Sequence, residues 1–130
     1  MAKSETQVLL EICKWLHDSE FFFWRSNNVP AAGRSFGAFR SLPKYTPPGL
    51  PNIMIVHDGI FIGLEVKRPT EDGAREKNGR KLRMGKLTPE QGEFGIKLTI
   101  AGGHYACVRS RDEAEKFLAG LFVKGWVSKA

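Results

Sequence analysis

Residues 49–67, GLPNIMIVHDGIFIGLEVK, hold two short apolar runs separated by His57-Asp58-Gly59. Asp-Gly between apolar runs is a strong signal for a tight hairpin, because both residues tolerate the positive φ angles of a two-residue turn. The spacing therefore predicts antiparallel strands over Asn52–Val56 and Ile60–Lys67. Side chains alternate along a strand, so Glu65 and Lys67 fall on one face while Leu64 and Val66 point to the other. A carboxylate and an ammonium at the end of a strand as apolar as Ile60, Phe61, Ile62, Leu64 are costly to bury unless they pair with each other or bind something. The hairpin brings residue 52, after the Gly49-Leu50-Pro51 start, to the same end of the sheet as Glu65.

Working outward, Ser4 is a good N-cap, and Val8, Leu9, Ile12, Trp15 and Leu16 recur at helical spacing, which predicts a helix ending near His17 with Glu5 in its first turn. Phe21 to Arg25 (FFFWR) reads as a short aromatic strand. Residues 26–51 carry five prolines and three glycines and are expected to be largely loop, of a length that usually carries function. Thr88, Pro89 and Gln91 form a capping-box start for a helix through Phe94, Leu98 and Ile100, stopped by Gly102-Gly103. A strand over His104–Val108 and a helix over Arg111–Val123, with Ala114, Phe117, Leu118 and Leu121 inward, complete an α/β chain.

The 130 residues suit a single domain with a core of its own, and 42% hydrophobic with 26% charged residues argues against wholesale disorder. The net charge of +6 favours a polyanionic partner, with nucleic acid the leading class. Much of that charge sits in residues 68–86, where Arg68, Arg75, Lys77, Arg80, Lys81, Arg83 and Lys86 exceed the acids by four; without apolar periodicity the segment reads as a flexible basic loop. It is equally a solvated charge run or a track for a phosphate backbone. Arg25, Arg34, Arg40 and Lys44 raise the same possibility in and beside the proline-rich loop. No apolar run of membrane-spanning length and no signal peptide is found, so a cytoplasmic protein is expected, in a bacterium or a phage-infected cell. Cys13 and Cys107 are expected to be buried free thiols, and His17, His57 and His104 lack ligand spacing.

The chemistry lies in the Glu65-x-Lys67 strand. Glu65 supplies a hard oxygen of the kind Mg²⁺ uses, and Lys67 can hold a water or a phosphate. On its own the pair reads first as a simple salt bridge at the rim of the sheet, since Glu-x-Lys recurs by chance in many proteins. Together with Gly49-Leu50-Pro51-Asn52, the helix led by Glu5, the Trp24-Arg25 strand end, Leu87-Thr88-Pro89-Glu90-Gln91 and Gly102-Gly103, however, the chain resembles the PD-(D/E)XK nuclease superfamily, and within it the virus-type replication-repair nuclease (VRR-NUC) domains. The resemblance covers most of the chain. It implies a restriction-endonuclease-like core, a mixed central sheet flanked by helices, and Mg²⁺- or Mn²⁺-dependent hydrolysis of DNA phosphodiesters. Members of this kind are similar to Holliday-junction resolvases acting as homodimers on branched DNA. Carried over, it makes Glu65 and the Val66 carbonyl metal ligands, has Lys67 orient or activate the water, has Gln91 position the active-site groups, and offers Glu5, or less favourably Glu11, as an additional acid.

Asn52 departs from the pattern, which has aspartate there. An amide can ligate through its oxygen but brings no charge, so the chain as written is expected to be an impaired nuclease. An introduced substitution, a naturally weakened enzyme and a member that only binds DNA all fit; the intact remainder of the constellation favours the first. A non-catalytic junction-binding module is the alternative function, and a basic scaffold for acidic proteins is a third.

Overall fold

The computed structural model describes residues 3–26, 44–69 and 86–122. In chain order these form helix α1 (Glu5–Asp18), strands β1 (Phe22–Arg25), β2 (Ile53–His57) and β3 (Ile60–Val66), helix α2 (Pro89–Ile100), strand β4 (His104–Val108) and helix α3 (Arg111–Leu121). The strands make one mixed sheet in the order β1-β2-β3-β4. The β1–β2 and β2–β3 pairs are antiparallel, and β4, reached through α2, runs parallel to β3. The chain is thus a mixed α/β protein with a four-stranded sheet and three helices among the described residues.

The hairpin is formed as its turn residues require: Asp58 and Gly59 take φ of 51° and 77°, and Ile55 faces Ile62 across the pair. Helix α1 starts at a capping box in which the Ser4 hydroxyl accepts from the Gln7 amide and the Gln7 side chain accepts from the Ser4 amide. The Gln7 half of that box goes beyond the expected Ser4 cap. Helix α3 begins at Ser110, whose hydroxyl accepts from the Glu113 amide.

Alternation divides the sheet into two faces. Ile53, Ile55, Ile62, Leu64, Val66 and Val108 form a continuous core with Val8, Ile12, Trp15 and Leu16 of α1 and Ala114 and Leu118 of α3. Phe117 and Leu121 pack against that core, as the helical spacing implied. On the opposite face α2 lies over β4, and Leu98 and the buried Pro51 close over Gly63. Phe21 precedes β1 and is buried against Trp15 and His57, whereas Phe22, Trp24 and Phe61 form an exposed aromatic row on the face opposite the core. Cys13 and Cys107 are free and only half-buried, less enclosed than expected. Among the described residues no helix is long and apolar enough to cross a membrane. Most of the long proline-rich loop, including Arg34 and Arg40, and the basic segment's Arg75, Lys77, Arg80, Lys81 and Arg83 lie outside the described residues, as does Val123.

Candidate active site

At the end of β3 the sheet face turned away from α1 and α3 carries Glu65. Its side chain is 2% exposed and that of Lys67 is 12%, and Lys67 Nζ stands 3.5 Å from Glu65 Oε2. The Lys67 amide donates to the Val108 carbonyl, so strand geometry extends to Lys67 and holds its side chain on the Glu65 face. The shared face expected from alternation is therefore formed.

Two further elements converge on the same carboxylate. The first is the start of α2. Gln91 is the third residue of the helix; its Oε1 accepts from the Thr88 amide at 2.9 Å, and its Nε2 donates to Glu65 Oε2 at 3.0 Å. The capping box thus fixes the amide at one end and directs the other end at Glu65. The second is the entry to β2. Asn52 Oδ1 accepts from the Val66 amide at 2.6 Å, tying the two strand ends together. The Asn52 backbone amide also bears on the Glu65 carboxylate. Gly49 makes this convergence possible: it has φ of 81°, and a Cβ there would stand 2.3 Å from the Glu90 carbonyl oxygen. Only glycine lets the loop before Asn52 cross this close to the start of α2.

The electrostatics follow from the enclosure. Burial pushes the Glu65 carboxyl up from 4.5 to about 7; the Lys67 ammonium opposes the rise, Glu5 adds to it, and the Asn52 amide opposes it. Oε2 has two partners, but Oε1 is buried with none. A buried carboxylate oxygen without a donor is costly, and a cation or a hydrogen-bond donor seated there would relieve it.

The geometry accommodates a hard divalent ion only in part. Glu65 Oε1 is an available oxygen, and Mg²⁺ commonly uses one or two carboxylates with water and phosphate completing its shell. Asn52 supplies no charge, and its amide oxygen is engaged by the Val66 amide. Among the described residues no group of three or more His, Cys, Asp or Glu side chains could hold a metal. The donors that the described residues bring together here are thus one carboxylate oxygen and a neutral amide oxygen already engaged.

The remaining candidates divide. Glu5 is exposed in the first turn of α1, near enough to influence Glu65 electrostatically. Glu11 is instead paired with Lys3 on the surface. Arg25 stands opposite Ile53 in the β1–β2 register, so alternation puts it on the α1 face rather than the Glu65 face. The Arg68 carbonyl accepts from Arg109 Nη1 at 3.1 Å, which anchors the root of the basic segment, and Lys86 is exposed two residues before Thr88.

Tyr105 and Cys107 were not legible as site residues. The parallel register sets Tyr105 opposite Gly63 and Cys107 opposite Glu65, on the Glu65 face. Burial pushes the Cys107 thiol up, with Arg109 the leading opposing charge. Nothing local to His104–Val108 distinguishes these residues; only the pairing with β3 does. No family model, curated protein or solved structure matches the chain.

Proposed function

We propose that this chain is a divalent-metal-dependent, structure-selective DNA endonuclease on a restriction-endonuclease-like core, related to the virus-type replication-repair nucleases and impaired as written by Asn52. The observation that carries the reading is the Glu65 carboxylate: buried at a strand end, held at Oε2 by Lys67 and Gln91, without a partner at Oε1, and next in sequence to Val66, whose amide Asn52 Oδ1 accepts from. A structural salt bridge has no need of a second strand, a helix start and an unsatisfied oxygen at one point.

Glu65 would hold the Mg²⁺ or Mn²⁺, with the Val66 carbonyl and residue 52 alongside, and the ion when bound would stabilise negative charge on the phosphate as a Lewis acid. Lys67 holds its ammonium beside the carboxylate, where it can orient an attacking water or neutralise a phosphate oxygen. Gln91 fixes the Glu65 carboxyl plane, and hence the line of attack, since small misplacements of reacting groups are expensive in rate. The net charge of +6 suits a DNA partner, branched DNA in particular, and a homodimer would present two such sites to the two strands of a symmetric junction.

The test is Asn52→Asp. Cleavage of four-way junctions and flaps that requires Mg²⁺ or Mn²⁺, and that is abolished by adding Lys67→Ala, supports the proposal. An aspartate variant that binds no metal by calorimetry and cuts nothing overturns it. A second reading, a junction-binding module without catalysis, draws on the engagement of the Asn52 amide by Val66. It predicts gel-shift affinities that fall steeply with salt and are indifferent to Mg²⁺ and to Glu65→Ala.

A further inference from the structure

Among the described residues three buried side-chain polar atoms have no hydrogen-bond partner: Ser19 Oγ, Glu65 Oε1 and Tyr105 Oη. The last two belong to neighbouring strands and to one face of the sheet, since Tyr105 is in register with Gly63, two residues before Glu65. Gly63 itself brings no side chain to that face, and Pro51 and Leu98 pack over it.

Packing holds the Tyr105 ring in place. It lies flat on α2 at Gly95, where an added Cβ would stand 2.6 Å from Cδ1, and Phe94 stands 6.3 Å away, ring centre to ring centre. The ring thus packs between β4 and α2, and its hydroxyl oxygen is buried. A phenylalanine would fill the same space without burying an unsatisfied hydroxyl. Burial, followed by the nearby Glu65 charge, also keeps the phenolic proton on, so the group remains a donor. A buried donor without an acceptor therefore shares a sheet face, one strand over and within electrostatic reach, with a buried acceptor without a donor.

We infer that Tyr105 is a positioning residue for Glu65, its hydroxyl donating to Oε1 through one intervening water. Gln91 and Lys67 hold Oε2 from α2 and β3, so a donor from β4 fixes the carboxyl plane from a third element. A carboxylate oxygen has two lone pairs, so this bond and a cation can share Oε1. The structural part of the inference stands on the free protein; its catalytic consequence rests on the nuclease reading.

The test is Tyr105→Phe, which keeps the ring, examined in two arms. In the metal-free parent chain at fixed pH, the carbon NMR resonance of the Glu65 carboxyl is expected to move on substitution while the methyl resonances of Ile62 and Leu64 stay in place; an unmoved carboxyl resonance overturns the inference. In the Asn52→Asp background the same change is expected to raise half-saturating Mg²⁺ about tenfold and to lower kcat, with KM for DNA unchanged, the range seen when hydrogen bonds to ligating groups are removed. A phenylalanine variant with unaltered Mg²⁺ dependence would show that only the ring matters. If the Asn52→Asp protein itself cuts nothing, the nuclease proposal falls, and the NMR arm alone decides the role of Tyr105.

Discussion

Replacing Glu65 by glutamine tests whether the enclosure of this carboxylate is as costly as its surroundings imply. The carboxyl is raised from 4.5 to about 7, chiefly by burial. At 1.36 kcal/mol for each tenfold change in proton affinity, keeping it ionised above that pH costs the folded state roughly 3 kcal/mol. Between the two values the unfolded chain has released its proton while the folded chain retains it. Stability therefore falls as pH rises through this window and levels off above it. Glu65→Gln is nearly isosteric, keeps an acceptor for Gln91 and does not titrate. Urea unfolding in chelator at about pH 5 and about pH 8.5 should give the glutamine variant a stability advantage over the parent that grows by roughly 2–3 kcal/mol between the two. An advantage equal at both pH values refutes the reasoning, because Glu65 would then ionise in the folded protein as it does in water.

Three other outcomes follow from the geometry. Asn52→Ala removes the acceptor of the Val66 amide and should cost about 1–3 kcal/mol, the range for orphaning a buried donor, with faster hydrogen exchange at Val66 by NMR. Gly49→Ala combines a φ of 81° with a Cβ at 2.3 Å from the Glu90 carbonyl; a loss above roughly 2 kcal/mol is expected in thermal unfolding, with the Gln91 side-chain amide resonances displaced. Thr88→Ala should cost about 1 kcal/mol and speed exchange of the Gln91 amide, which the Thr88 hydroxyl accepts at 3.1 Å.

Much of this architecture is a local property of the chain. Asp58-Gly59 closes the hairpin and Ser4 and Thr88 start their helices because those signals act through the covalent chemistry of a few consecutive residues. Alternation alone put Glu65 and Lys67 on one face, and the hairpin brought residue 52 to their end of the sheet. Tertiary structure decided what these groups meet. Which atom of Asn52 is engaged, how Gln91 serves a helix cap and a carboxylate together, and the nearness of Tyr105 and Cys107 to Glu65 depend on the parallel β3–β4 register and on α2 crossing at Gly49. Those contacts join residues tens of positions apart, and no short-range pattern encodes their register. Burial did the rest: a glutamate's proton affinity is set by the water removed around it, which becomes definite only once the elements are packed.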